Sequence, residues 1–155
     1  MSYVTLSVFL GLVLLAATTG SIFKPGVWYA ALDKPVWTPP NWMFPVVWAF
    51  LYILIAVAGW YVWEVIKFGL LMWLWVAQLV LNTLWSYLFF GRNNMGLAFL
   101  DIVLLMGVII GFIMLAIVIV PTAGFLFMPY LAWVMLAAAL NFSIWQRNKP
   151  EARPL

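Results

Sequence analysis

The chain contains neither cysteine nor histidine, so it lacks side chains on which much protein chemistry depends. Without cysteine there is no disulfide, no thiolate metal site and no cysteine nucleophile. Without histidine the usual general base and the commonest ligand of metals and haem iron are missing. Acidic residues number only four: Asp33, Glu64, Asp101 and Glu151. We therefore expect no metal site and no conventional hydrolytic or metal-dependent catalysis.

Charge is scarce as well. Charged residues make up 7% of the 155 residues, 68% are hydrophobic, and the mean hydropathy is +1.15. Soluble domains are about 45–50% apolar and about 25% charged. A soluble globule of this size could not bury so much apolar surface, and disorder requires low hydrophobicity. The net charge of +3 is too small to indicate nucleic-acid binding. The composition predicts one compact integral membrane domain over residues 1–155.

Long apolar runs predict an all-α bundle of five transmembrane helices. A helical span needs about 20 mostly apolar residues. The five runs cover about 3–22, 44–66, 70–90, 95–120 and 124–146. Gly, Pro and charge separate them, as in 91–94 and 121–124, which is the usual punctuation. The runs are too long and continuous for the alternating strands of a β-barrel.

The Lys and Arg residues are divided unevenly between the two ends of this predicted bundle. With five spans, one end carries Lys24, Lys34, Arg92, Arg147, Lys149 and Arg153, and the other carries Lys67. Cytoplasmic loops are the ones enriched in Lys and Arg. We therefore expect the C-terminus and the first loop in the cytoplasm and the N-terminus outside.

The loop after the first span, residues 23–43, is unusual in composition. Residues 24–43 of it contain four prolines and four large aromatic residues: Pro25, Pro35, Pro39, Pro40, Trp28, Tyr29, Trp37 and Trp42. Proline restricts the backbone, so the loop should be stiff and ordered. One interpretation is an aromatic belt at the membrane interface. The other, which we favour because an anchor does not need four prolines, is a lid over a cavity in the bundle.

Aromatic and amide residues recur at helical spacing in three spans. The faces are Phe44, Trp48 and Tyr52 in the second span, Trp75, Gln78, Asn82 and Trp85 in the third, and Tyr130, Trp133, Ala137 and Asn141 in the fifth. Amides facing lipid are costly, so these faces should turn inward. Taken singly, each of these faces is explained by packing between helices in the core of the bundle. Together with the loop, they predict one aromatic-walled pocket for a flat, apolar ligand.

Asp101 is the acidic residue well inside a span. It lies about 9 Å along the fourth helix at 1.5 Å per residue. A charge near mid-membrane costs at least about 2.5–3.5 kcal/mol, so Asp101 should face inward and be paired or protonated. It is either a proton or ligand contact or a structural hydrogen-bond partner of a neighbouring helix or of Arg92. We favour the structural role, because a single acid makes no relay.

Gly107 and Gly111 form a GxxxG motif in the fourth span. Small residues at this spacing let two helices approach closely. The motif predicts either packing inside the bundle or the face of a homodimer.

Four segments, taken in order, resemble a known family: WYAALDKPVWTPPNWMFPVVW, AQLVLNTLWSYLFFG, MGLAFLD and MPYLAWVMLAAALNF. They resemble the TspO/MBR family, the tryptophan-rich sensory proteins, which include the mitochondrial translocator protein (the peripheral-type benzodiazepine receptor). The match runs from about Phe23 to the C-terminal tail. The first span matches only in character.

The resemblance implies a five-helix bundle, usually a dimer, with a ligand pocket capped by the first loop. Members bind porphyrins such as protoporphyrin IX and benzodiazepine-site drugs, and eukaryotic members also bind cholesterol. Bacterial members are linked to tetrapyrrole regulation and stress response. By position the family's pocket residues fall on Tyr29, Trp37, Trp42, Phe44, Trp48, Tyr52, Asn82, Trp85, Phe89, Trp133, Ala137 and Leu140. Trp48 and Trp133 match two tryptophans implicated in light-dependent porphyrin breakdown, and are the catalytic candidates if porphyrin is degraded.

The family's sterol motif places Leu or Val, then Tyr, then Lys or Arg. Here Leu140 and Arg147 flank Phe142, so the tyrosine hydroxyl is missing, which counts against tight sterol recognition. We expect no obligatory cofactor and metal-free porphyrin as ligand, because the common axial ligands His and Cys are absent. Lys34 or Arg92 is then the expected partner of a propionate.

The leading interpretation is a membrane receptor or sensor that binds porphyrins and benzodiazepine-site ligands. The alternatives are a transporter of porphyrin or sterol, a light-dependent porphyrin-degrading enzyme, and a structural membrane protein whose aromatic residues only pack. The expected partners are a porphyrin, or a sterol or other lipid, the membrane itself and a second copy of the chain, with no nucleic acid.

Overall fold

A computed structural model of the protein describes residues 2–149. Within this range the chain forms helices and no strand: α1 Tyr3–Ile22, α2 Val27–Ala30, α3 Met43–Ile66, α4 Leu70–Ser86 with a π-helical continuation Tyr87–Gly91, α5 Met95–Ile119 and α6 Pro121–Arg147. All except the four-residue α2 are long and apolar enough to cross a membrane. The predicted fold, five spanning helices in an all-α bundle, is confirmed. Glu151 and Arg153 lie outside the described residues.

The five long helices close into a ring. α1 packs against α3 and α4, α3 against α6, α6 against α5, and α5 against α4. The half of the ring away from the first loop is filled by a continuous apolar core. There Phe112 stacks on Phe127 with ring centroids 4.0 Å apart, and Trp75 donates an indole hydrogen bond to the Ile55 carbonyl at 2.8 Å. The half next to the loop is not filled in this way.

The turn between α5 and α6 corrects the predicted boundaries. The sequence predicted a break at 121–124, with helices ending at 120 and starting at 124, yet only Val120 separates α5 from α6. Pro121 occupies the first turn of α6, where a missing N–H costs nothing. A Cβ on Gly124 would lie 2.9 Å from the Ile117 side chain, so glycine permits the tight turn. Pro121 and Gly124 therefore lie inside the first turn of α6 and do not form a loop between the two helices.

The first loop and the end of α6 lie at the same end of the bundle. The Asp33 backbone N–H donates to the Asn148 side-chain oxygen at 3.0 Å, and the Asn148 amide donates to the Asp33 carbonyl at 2.9 Å. Arg147 forms an exposed ion pair with Asp33 at 3.5 Å. Arg92 and Lys149 border one surface pocket. The cations that the sequence assigned to one end are therefore together there, as far as the described residues extend.

The GxxxG motif faces away from the rest of the chain. A Cβ added to Gly107 or Gly111 would meet no atom within 4 Å. Leu104 and Met114, nearby on α5, are exposed as well. Packing inside the bundle, one of the two predicted roles of the motif, is therefore wrong for this chain.

Asp101 points inward, as predicted, and is 4% exposed. The expected structural hydrogen bond is absent, because neither carboxylate oxygen has a hydrogen-bond partner among residues 2–149. Arg92 is exposed in the loop before α5 and does not pair with it. Asp101 is thus a buried polar group that the surrounding helices do not satisfy.

Candidate functional site: an aromatic cavity beneath the first loop

A cavity of about 660 Å³ occupies the half of the bundle next to the first loop. All five spanning helices contribute to its wall. Most of the predicted pocket residues line it: Tyr29, Phe44, Trp48, Tyr52, Asn82, Trp85, Phe89, Trp133, Ala137 and Leu140. Its volume lies within the range of about 300–1,000 Å³ that small-molecule pockets usually have.

Aromatic rings form much of the wall. In α3 the four-residue spacing puts Trp48 beside Tyr52, with ring centroids 5.3 Å apart. Phe44 packs edge-on against Trp133 of α6 at 5.7 Å. Trp85 stacks on Phe89 at 5.1 Å where α4 passes into its π-helical end. These surfaces suit a flat ligand that stacks on rings.

The two amides deep in the wall, Asn82 and Asn141, are held by hydrogen bonds within the protein. Tyr52 donates to the Asn82 side-chain oxygen at 2.9 Å, and the Asn82 amide donates to the Tyr130 hydroxyl at 3.2 Å. Trp85 donates to the Asn141 side-chain oxygen at 3.0 Å. These bonds tie α3, α4 and α6 together. They fix the shape of the wall and leave its aromatic surfaces as the main contact area.

One buried polar group of the wall has no such partner. The indole N–H of Trp133 is buried and has no hydrogen-bond partner among the described residues. A buried donor without a partner is costly. Trp133 therefore combines a ring in the cavity wall with a buried donor that no described group satisfies.

The charged groups near the first loop are placed differently from the expectation. Lys34 does not line the cavity, because its ammonium group donates to the carbonyls of Tyr29 at 2.7 Å and Leu32 at 2.9 Å. Arg92 borders the surface pocket at the end of α6 instead. Lys24, at the start of the loop, is the only charged side chain among the described residues that line the cavity.

The TspO/MBR family model matches residues 6–146. The chain belongs to the TspO/MBR family. It is 40% identical over 146 residues to "Protein CrtK" of Rhodobacter capsulatus, covering 90% of this chain and 89% of that protein. It is 42% identical over 140 residues to the "Tryptophan-rich sensory protein" of Cereibacter sphaeroides, covering 88% of each. The "Translocator protein" of Ovis aries is 37% identical over 131 residues, with 79% of this chain and 75% of that protein covered.

The first loop of this TspO/MBR chain has two different halves. Tyr29 is buried against Phe89 and Phe90, with ring centroids 6.2 and 5.5 Å away, and burial raises the pKa of its phenol. Trp37 and Trp42 do not line the cavity, contrary to prediction, and are 47% and 66% exposed. The first half therefore has the geometry of a lid. The outward tryptophans instead have the exposure that an interfacial belt requires.

The cavity of this family member also has lining residues that the sequence did not indicate. α1 contributes Leu10, Val13, Leu14 and Ala17, and α5 contributes Ile102 and Leu105. Uniformly apolar helices give no periodic signal for which side faces a cavity. Leu14 of α1 and Ile53 of α3 line the cavity and are 65% and 56% exposed.

One predicted face and the sterol motif each have some residues in the cavity wall and others outside it. In α4, Asn82 and Trp85 line the cavity, whereas Trp75 and Gln78 are buried in the packed half. The sterol-motif residues are divided too: Leu140 lines the cavity, but Phe142 and Arg147 do not. Phe142 packs against Phe99 with ring centroids 5.2 Å apart. Helical spacing places residues on one face, and the position along the helix decides what that face meets.

Proposed function

We propose that this membrane protein is a receptor or sensor that binds protoporphyrin IX-type tetrapyrroles and benzodiazepine-site ligands, with a role in tetrapyrrole regulation and stress response. The observation that carries the proposal is the aromatic-walled cavity of about 660 Å³ in a member of the TspO/MBR family. Porphyrin is flat and largely apolar, which suits stacking on Trp48, Phe44 and Trp133. We expect the metal-free form, because the sequence offers no His or Cys as axial ligand.

A second candidate function is light-dependent breakdown of the bound porphyrin. Trp48 and Trp133 belong to different helices, yet both line the same cavity. Such chemistry needs no acid or base, so the absence of histidine does not argue against it. Transport of sterol is less well supported, because the sterol-motif residues Phe142 and Arg147 do not line the cavity.

Two further parts of the proposal concern the assembly. We propose a homodimer that uses the outward face of α5, where Gly107 and Gly111 leave room for a second helix. We also propose that the first loop and the C-terminus lie in the cytoplasm and the N-terminus outside, because cations gather at the loop end.

The test is a titration of the detergent-solubilised protein with protoporphyrin IX in the dark, followed by the porphyrin absorption band. We expect saturable binding near one site per chain. Replacing Trp48 and Trp133 together by Phe should weaken it by about two- to tenfold, because part of the stacking surface is lost. Trp73→Phe is the matched control, since Trp73 is exposed on α4 and does not line the cavity. Partitioning without saturation, equal in all variants, would refute the proposal.

A further inference from the structure

The cavity has one charged position, and it lies at the first loop. Lys24 lines the cavity, is exposed, and has no hydrogen bond or ion pair with another described residue. Every other described lining residue is uncharged. Resting on the proposed function, we propose that Lys24 binds the carboxylate of an amphipathic anionic ligand whose apolar ring lies against the tryptophans deeper in the cavity.

The other cations at this end are unsuited to the task. The Lys34 ammonium group is shared among the carbonyls of Tyr29, Leu32 and Ala30, and it stands 4.7 Å from the centre of the Tyr29 ring. Arg147 is paired with Asp33. Lys149 stands over the Trp145 ring at 4.5 Å. Of the described cations at the loop end, Lys24 combines a place in the cavity wall with an uncommitted amine.

The polarity of the cavity gives the ligand one orientation. Asn41 and Ser21 line the cavity near the loop together with Lys24, whereas the amides deeper inside are bound to protein groups. A carboxylate placed deep in the cavity would lose its hydration without gaining a cation. At the loop end it keeps contact with water and meets an ammonium group. The cavity should therefore prefer a ring system with a carboxylate at one edge over the same ring with that carboxylate esterified.

The experiment compares protoporphyrin IX with its dimethyl ester, titrated into wild type and Lys24→Gln in the same detergent. Wild type should bind the acid about two- to fivefold more tightly than the ester, as expected for a solvent-exposed ion pair. Lys24→Gln should abolish this preference and leave the affinity for the ester unchanged. Comparing the acid-to-ester ratio between proteins cancels the different partitioning of the two ligands into micelles.

Lys67→Gln is the control, because it removes the same charge from the opposite end of the bundle, outside the cavity. It should keep the preference for the acid. Lys24→Glu should reverse the preference, since it places like charges together. Unchanged binding of the ester by the Lys24 variants would show that the cavity is intact.

An acid preference that survives in Lys24→Gln would overturn the assignment of Lys24 and leave the proposed function standing. If neither acid nor ester binds wild type in a saturable way, the proposed function fails, and the role of Lys24 fails with it. The two failures are therefore distinguishable from one set of titrations.

Discussion

The hydroxyl of Tyr52 donates a hydrogen bond to the side-chain oxygen of Asn82 across 2.9 Å, joining α3 to α4 at the cavity wall. The side-chain amide of Asn82 in turn donates a hydrogen bond to the hydroxyl of Tyr130 in α6 at 3.2 Å. Three helices of the ring thus meet at one amide. Since Asn82 is almost fully buried, its polar atoms depend on these two partners.

Tyr52→Phe should therefore destabilise the bundle by about 0.5–1.5 kcal/mol, because the Asn82 oxygen loses its donor. Thermal unfolding in detergent, followed by circular dichroism, measures the effect. Tyr61→Phe is the matched control on the same helix, as Tyr61 has no hydrogen bond to a described residue. Equal melting temperatures for the two variants would contradict a structural role for the Tyr52 hydroxyl.

Gly59 should not tolerate a side chain. A Cβ there would lie 2.5 Å from the Trp75 ring and 2.8 Å from Phe9, both buried. Gly59→Ala should cost about 1–3 kcal/mol as an overpacked core. Gly11→Ala serves for comparison, because a Cβ at Gly11 meets nothing within 4 Å. Both variants would be compared by thermal unfolding, and a melting temperature of Gly59→Ala no lower than that of Gly11→Ala would contradict the predicted overpacking.

Bulky residues on the outer face of α5 should dissociate the proposed homodimer without unfolding the chain. Gly107→Leu combined with Gly111→Leu fills the space that a second helix would use. Light scattering coupled to size-exclusion chromatography gives the protein mass in the micelle. Gly11→Leu is the control on α1. A dimer that persists in the double variant would place the interface on another face.

Asp101→Asn should leave stability unchanged or raise it. The carboxylate is buried and has no hydrogen-bond partner among residues 2–149, so the substitution removes a group that is costly to bury and breaks no described bond. Thermal unfolding at neutral pH is the measurement, with Asn141→Asp as the opposite exchange, which should destabilise. A fall of many degrees for Asp101→Asn would reveal an interaction that supports the fold.

The proposed photochemical breakdown should depend on the two cavity tryptophans, Trp48 and Trp133. Under light, bound porphyrin should bleach more slowly in Trp48→Phe and in Trp133→Phe than in Trp73→Phe, whose ring lies outside the cavity. The rate is read from the porphyrin absorption band at saturating protein, so that weaker binding does not mimic slower chemistry. Equal bleaching in all three variants would exclude a role for these indoles.

The sequence predicted the five spans well because a span is identified from the hydropathy of about 20 consecutive residues. That quantity does not depend on which other helices the span packs against. The sequence also predicted the aromatic stripe of Phe44, Trp48 and Tyr52, since helical spacing alone puts these residues on one side. It failed at Pro121 and Gly124, where the same residue types that end helices allowed one to start. It failed again at Trp37 and Trp42, because an aromatic residue in a loop can face a cavity or lipid with the same local sequence.

The uneven filling of the ring has a consequence for how any ligand moves. The stacked pair Phe112 and Phe127, together with buried Trp75, closes the half of the bundle beyond the cavity. A ligand bound under the first loop therefore occupies a cavity that is closed at its inner end by the packed core, not a channel through the bundle. By contrast, Leu14 and Ile53 line the cavity from two of the spanning helices and are 65% and 56% exposed. Exchange sideways with one leaflet of the bilayer is thus compatible with this architecture, whereas passage from one aqueous side to the other would require the core itself to open.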